Sequence, residues 1–280
     1  MTDILVIGSV NLDLSASVSR LPAPGETITG ATLGRFPGGK GANQALAARR
    51  LGANVKLIAC VGDDATADEA LALVRAGGVD LEHCMVDANE PTGVALISVT
   101  PSGENHIVVA PGANARLTLD NVDMPEADAL ICQLEVPGAT IASAASTFAG
   151  FFCVNLAPAR DIDKSIIERA DLVVVNETES AWYGERLSLC NGMVATTYGK
   201  AGAELSLNGK NIARTDALLV NAIDATGAGD VFTAALTVAL VEQMNPADAL
   251  RFACTAASVA TTIRGAQPSL PSRKEIDARL

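Results

Sequence analysis

Residues 224 to 230 read Asp224-Ala225-Thr226-Gly227-Ala228-Gly229-Asp230, and an apolar run with helical character follows. Small residues let a backbone approach a ligand closely, and the N–H groups of a helix's first turn lack intrahelical partners and point at whatever binds there. Such a turn suits an anion. A carboxylate in the same turn, Asp230, would sit beside the charge that develops as a phosphoryl group transfers, where only a proton acceptor has reason to be. The plainer reading is a helix N-terminus with Asp230 complementing the dipole. For a lone Gly-x-Gly-Asp that reading is the better one, so the other motifs decide.

The second candidate is Pro37-Gly38-Gly39-Lys40-Gly41-Ala42-Asn43, at the opening of a helix. Counted from Gly34 it nearly spells the phosphate loop GxxxxGK[ST]. Gly41 stands where a hydroxyl residue would hold magnesium, and no short strand feeds the loop, so that reading is rejected. Backbone donors at Gly39 and its neighbours, with Lys40 and Asn43, suit instead a polyhydroxylated ligand, each hydroxyl of which needs a directed partner. Asn11 and Asp13, just past the first strand-like run, add donor and acceptor groups. The structural alternative has Asn11 and Asp13 capping a turn and residues 38–41 forming a flexible loop.

Asn176-Glu177-Thr178-Glu179 follows a buried strand-like run. A hard cation that bridges phosphates takes one or two carboxylates, which makes Glu179 the candidate magnesium residue, with Asn176 toward the phosphates. Alone, the tetrapeptide reads better as a helix start with stabilising acids. Thr197-Tyr198-Gly199-Lys200-Ala201-Gly202 ends another strand in a turn that suits nucleotide contact at Thr197, Gly199 and Gly202, or in a simple hairpin. His83 and His106 are isolated, and no Ser/His/Asp or Cys/His set assembles around them. The six cysteines show no CxxC or zinc spacing and read as reduced core thiols of a cytosolic protein.

The elements that must position these residues alternate. Runs at 4–7, 55–61, 129–133, 151–155, 172–175 and 194–197 are β-rich and continuous rather than alternating in their apolar residues, as in a parallel sheet buried on both faces. Segments 41–51, 66–76, 139–148 and 164–170 read as helices, the first closed by Gly52 at C′. The expectation is a doubly wound α/β domain over residues 1–280, with ligands at the carboxyl ends of its strands. Segments 14–36 and 92–111 break the rhythm and read as a small antiparallel sheet, a flap or a decoration, with a hairpin signal at Pro101-Ser102-Gly103-Glu104. Residues 217–222 look strand-like ahead of the Asp224 turn, and 228–243 and 247–263 are helical and rich in small residues.

A chain of 280 residues, 49% hydrophobic, can bury a full core, which excludes a disordered or fibrous protein. Its formal net charge of −12, with no compensating basic run, argues against nucleic acid or an anionic membrane as partner. The N-terminus lacks the basic region of a signal peptide, and no apolar stretch reaches the ~20 residues of a spanning helix.

Together the motifs resemble the ribokinase, or PfkB, family of carbohydrate kinases, in the family's order from Gly8 to Pro271. The resemblance rests on Gly8-Ser9-Val10-Asn11-Leu12-Asp13, Pro24-Gly25-Glu26-Thr27, residues 39–44, Gly103-Glu104-Asn105, Gln133-Leu134-Glu135, residues 224–230 and Gly265-Ala266-Gln267-Pro268-Ser269. It implies ATP-dependent phosphorylation of a small sugar, with ribose at its 5-hydroxyl as the leading acceptor. Asn11, Asp13, Gly39, Lys40, Asn43 and Glu135 would bind the sugar, and Asp230 would be the catalytic base. Gly227, Ala228 and Gly229 would form an anion hole, Asn176 and Glu179 would serve phosphates and magnesium, and Thr197 and Gly199 would touch ATP. It further implies a monovalent cation, usually potassium, held by groups at Asp224, Thr226, Gly265 and Ser269, and a lid that closes on the sugar and pairs two subunits as a homodimer.

Two departures from that pattern stand out. Only fourteen residues separate Glu179 from Val194, where the family carries a longer helical segment, and Asn155-Leu156-Ala157-Pro158 places proline later than usual. Alternatives remain: another acceptor such as deoxyribose, a nucleoside, a ketohexose or ketodeoxygluconate, or a sugar or nucleotide sensor without turnover, which would not require Asp230. An NAD-dependent enzyme is disfavoured because no G-x-G-x-x-G follows the first strand.

Overall fold

The computed structural model describes residues 1–101, 105–120 and 122–280. The chain forms β1 (Asp3–Ile7), β2 (Asn11–Ser17), β3 (Thr32–Gly38), α1 (Lys40–Arg50), β4 (Asn54–Gly62), α2 (Ala65–Ala76), β5 (Cys84–Asp87), β6 (Gly93–Val99) and β7 (Asn105–Ala110). Then follow β8 (Ala129–Gln133), α3 (Gly138–Thr147), β9 (Phe151–Asn155), α4 (Lys164–Arg169), β10 (Leu172–Asn176), α5 (Glu177–Tyr183), β11 (Met193–Thr197), β12 (Ala203–Leu207) and β13 (Lys210–Thr215). Helices α6 (Ala228–Val241), α7 (Pro246–Ala260) and α8 (Arg273–Asp277) close the chain.

Nine strands make one sheet in the order β13-β12-β11-β10-β9-β8-β1-β4-β5, parallel from β5 to β11, with β12 and β13 antiparallel at one edge. Because side chains alternate along a strand, β1 sends Ile4 and Val6 to one face and Leu5 and Ile7 to the other. Helices α1, α2, α6 and α7 bury the first face, and α3 and α4 the second, so the sheet is doubly wound as its apolar runs require. Gly52, at φ 101, ends α1 in the left-handed conformation that C′ demands.

The smaller sheet has the order β3-β2-β6-β7. Its first segment runs from Asn11 to Gly38, wider than the expected 14–36, and its central pair β2–β6 is parallel, where an antiparallel sheet was expected. Asn11 and Asp13 therefore lie on a strand and cap no turn. Of the hairpin signal, residues 102–104 lie outside the described residues, as do Gly103 and Glu104 of the family match.

One strand-like segment is not a strand. Residues 217–222 join no ladder; the chain leaves β13 and crosses α7 instead. There the Leu218 N–H donates to Ser258 Oγ (3.1 Å), and the Ile223 N–H to the Thr261 carbonyl (2.7 Å). The crossover from β10 to β11 is short: α5 has seven residues and passes through a 3-10 turn over Gly184–Leu189 into β11. All six cysteines are free thiols, five of them buried. Among the described residues no helix is long and apolar enough to cross a membrane.

Candidate active site

The carboxyl ends of β1, β8, β9, β10 and β11 converge with the N-termini of α1 and α6. The glycines before and within α1 allow this. Gly39 has φ 87, and a Cβ there would lie 2.7–2.8 Å from the Asn11 N, the Ser9 carbonyl and Val10 Cα; one at Gly41 would lie 2.5 Å from the Gly8–Ser9 backbone. Backbone meets backbone here, and the Ala42 N–H donates to the Ser9 carbonyl at 2.9 Å. Lys40 and Asn43 are thereby fixed over the end of β1.

Asp230 stands in the first turn of α6, after Gly227 in the left-handed conformation (φ 78). Its side chain is 5% exposed. Oδ2 accepts from Asn43 Nδ2 (2.8 Å) and Oδ1 from Gln44 Nε2 (2.9 Å). Burial pushes its pKa above the ordinary value, opposed by the Lys40 ammonium and both amide donors, and reinforced by Glu135. Lys40 is held above its ordinary value: burial works against the ammonium, but Asp230, Glu135, Glu179 and Asp13 outweigh it.

Asp13 is buried on β2, and among the described residues no group donates to its carboxylate. Burial, then Glu135 and Asp230, push its pKa to about 7 against the pull of Lys40. Gly38 leaves room for it, since any Cβ there would overlap the carboxylate. Glu135 accepts from the Ser9 hydroxyl and from the Lys40 N–H (3.1 Å). Asn11 Oδ1 accepts from Asn114 Nδ2 at 2.8 Å.

A cavity of about 230 Å³ opens beside these groups, lined by Lys40, Asn155, Asn176, Glu179, Thr197, Gly227, Gly229 and Asp230. Asn176 and Glu179 form a reciprocal capping box at α5: each backbone N–H donates to the other's side chain at 2.8 Å. The helix-start reading is thus met locally, yet both residues face the cavity. Burial raises the Glu179 pKa against the Asn176 N–H and Lys40, with Asp230 adding to the rise. Among the described residues no cluster of three metal-ligating side chains occurs. Glu179, with one oxygen outside the capping box, fits the sparse carboxylate supply of a phosphate-bridging magnesium ion.

The N–H of Ala228 donates to the Ala225 carbonyl (3.1 Å), whereas those of Gly227 and Gly229 have no partner among the described residues and remain available to an anion. Gly199 and Gly202 lie in the turn after Thr197, at φ 54 and 87, and do not line the cavity. Asp224 accepts from the Thr226 N–H (2.9 Å) and hydroxyl (2.6 Å) and from the Gly265 N–H (2.8 Å). Although burial opposes ionisation, those donors and Arg264 hold Asp224 below the usual carboxylate range, a fixed charge that suits a cation. Ser269 is not joined to that set by a hydrogen bond; it donates to the Ala266 carbonyl at 2.8 Å.

The profile described as pfkB family carbohydrate kinase matches residues 1–273. The chain belongs to that family. As a pfkB kinase it is 37% identical to the ribokinase of Haemophilus influenzae, over 96% of this chain and 95% of that protein. The crystal structure of ribokinase from Thermotoga maritima superposes with a TM-score of 0.90, at 32% identity and 99% coverage of both chains. That of Arabidopsis thaliana ribokinase complexed with ribose and ATP gives 0.87, at 29% identity over 99% of this chain and 98% of that one.

Sequence reasoning about this pfkB chain missed four buried polar residues of the site: Ser9, Gln44, Asn114 and Gln133. Three sit inside quoted motifs and carried a signal through their neighbours. Asn114, which also accepts from the Val10 N–H (2.9 Å) and donates to the Val10 and Pro111 carbonyls (both 3.0 Å), belongs to no motif.

Proposed function

We propose that this chain transfers the γ-phosphate of ATP to the 5-hydroxyl of ribose. The observation that carries the reading is Asp230: a buried carboxylate of raised pKa, at a helix N-terminus, bordering a cavity that also holds Lys40 and Glu179. The whole-chain similarity to ribokinases, one of them complexed with ribose and ATP, supports the acceptor.

In this reading Asn11, Asp13, Gly39, Lys40, Asn43 and Glu135 hold the sugar. A sugar hydroxyl donating to Asp13 supplies the partner that carboxylate lacks. Asp230 takes the proton of the 5-hydroxyl as its oxygen bonds to the γ-phosphorus and the bond to ADP breaks. The free N–H groups of Gly227 and Gly229 neutralise the transferring group. Asn176, Thr197, Gly199, Gly202 and Ala228 border ATP, and magnesium near Glu179 supplies counter-charge for its phosphates. Groups at Asp224, Thr226, Gly265 and Ser269 would hold a potassium ion, whose charge would support the α6 turn.

The small sheet, 14–36 and 92–111, serves as a lid that excludes water from the phosphoryl group. Its exposed Leu33, Leu96 and Val108 share one face by register and are suited to pairing two subunits as a homodimer. The compartment is the cytoplasm, in keeping with free thiols, and the partners are small molecules.

Sugar-dependent ADP release from Mg-ATP, across ribose, deoxyribose, fructose, ketodeoxygluconate and nucleosides in potassium and in sodium, tests this. Ribose-dependent turnover that rises with potassium is expected. Turnover on another acceptor alone moves the substrate, and ATP binding without turnover on any sugar refutes the kinase. Asp230→Asn should bind both substrates and lose most turnover.

A further inference from the structure

We infer that Gln44 is a positioning residue for Asp230: its side-chain amide, aligned from behind by Gln133, turns Oδ1 inward and leaves Oδ2 as the oxygen that takes the proton. The inference rests on Asp230 being the base.

Three side chains form a buried line. Gln133 Nε2 donates to Gln44 Oε1 at 2.7 Å, and Gln44 Nε2 donates to Asp230 Oδ1 at 2.9 Å, with a longer contact to Asn155 Oδ1 at 3.3 Å. Gln44 and Gln133 are both 0% exposed. The direction of the line is forced. An ionised carboxylate only accepts, so Gln44 must present its NH₂ to Asp230, and its carbonyl must then face Gln133, which answers with its own NH₂. Gln133 Oε1 is left buried without a partner, against Gly8, where any Cβ would overlap it.

A core selected only for packing would carry apolar side chains in place of such an amide pair and would leave no orphaned acceptor behind. The orphan acceptor is explained if the pair exists to aim donors at Asp230. Asn155, the other acceptor near Gln44, is tied by its Nδ2 to the Val174 carbonyl (3.1 Å), so it buttresses the amide from β9. On the opposite side Asn43 donates to Oδ2, and its own Oδ1 is buried without a protein partner. Asn43 borders the proposed sugar pocket and Gln44 lies behind it, which assigns Oδ2 to the reacting hydroxyl.

The charged groups around Asp230 are Lys40 from α1, Glu135 after β8, Asp13 from β2 and Glu179 from α5. Of these only Lys40 favours the carboxylate. The Gln44 donor is therefore one of three groups, with Lys40 and Asn43, that keep a buried base ionised.

Gln44→Leu removes the donor at similar volume. In sugar-dependent ADP release its kcat should fall about ten- to hundredfold, the size of one charge-assisted hydrogen bond, with both KM values within about threefold of wild type. The acidic limb of its pH profile should move to higher pH. In an Asp230→Asn background the same substitution should cost nothing further, because Gln44 acts through Asp230. An unmoved limb, or an equal loss in that background, overturns the proposal. If Gln44→Leu does not fold by circular dichroism, Gln133→Leu replaces it: about three- to tenfold loss and the same limb shift are expected, and a wild-type profile overturns it. Near-full activity of Asp230→Asn alone would remove the base, and Gln44's role with it.

Discussion

Replacing Asp13 by Asn should stabilise the sugar-free protein while weakening its hold on the sugar. The carboxylate is buried beside Gly38, no described group donates to it, and its pKa lies at about 7 against an ordinary value of 3.8. Because the folded value exceeds the unfolded one, the native state holds a proton that the unfolded chain has released between these pH values. Stability therefore falls as pH rises through that window, and above about 7 the whole cost of the buried charge is present. The difference corresponds to a ceiling of about 4 kcal/mol. The pocket side stays open to water, so about half of that is expected. Urea unfolding of wild type and Asp13→Asn in the absence of sugar should show the variant ahead at pH 8 by about 2 kcal/mol, with a smaller lead at pH 5. Added sugar should stabilise the wild type more than the variant. A variant no more stable than wild type at pH 8, with no trend toward pH 5, would mean that the carboxylate is already solvated and would refute the reasoning.

Other substitutions read single contacts. Gly41→Ala places a methyl within 2.5–2.7 Å of the Gly8–Ser9 backbone and should cost about 1–3 kcal/mol in thermal unfolding, with a higher KM for the sugar. Gly265→Ala meets the Phe36 ring at 2.8 Å in a backbone held at φ 83; it should loosen the Asp224–Gly265 hydrogen bond and blunt the response of turnover to potassium in the ADP-release assay. Val108→Lys, on the face of the small sheet that carries Leu33 and Leu96, should shift sedimentation toward a monomer.

The large sheet was legible because strands buried on both faces are mostly apolar along their length rather than alternating, and six of its nine strands carry such runs. Residues 217–222 have a similar composition and are not a strand: the Leu218 N–H goes to Ser258 on α7 and the following Ile223 N–H to Thr261, tertiary contacts that no residue type announces. Asn11 and Asp13 were legible as ligand groups but not as strand residues, because Gly and Pro punctuation hid where the small sheet begins. At the site, charged and glycine residues could be picked out by chemistry. The amides behind them could not: a buried Gln44 or Asn114 matters through partners 186 and 103 positions away in sequence, and no local spacing carries that information.

One ammonium faces four carboxylates in this site, and in the proposed reaction that balance would let Lys40 act on both substrates. It lowers the pKa of Asp230, Asp13 and Glu179 at once, and each of those is already raised by burial. Without it the three acids would hold protons to higher pH, so less of the base would be free to accept a proton at a given pH, and the anionic phosphates of ATP would lose a counter-charge. Lys40→Met keeps the length of the stem and removes only the charge. Its KM values for sugar and ATP should both rise, about tenfold for one lost charged contact, and the acidic limb of its kcat profile should move up so that alkaline pH restores part of the rate. A variant with the wild-type limb and only a raised sugar KM would confine Lys40 to gripping the sugar, and the ionisation of Asp230 would then rest on Asn43 and Gln44 alone.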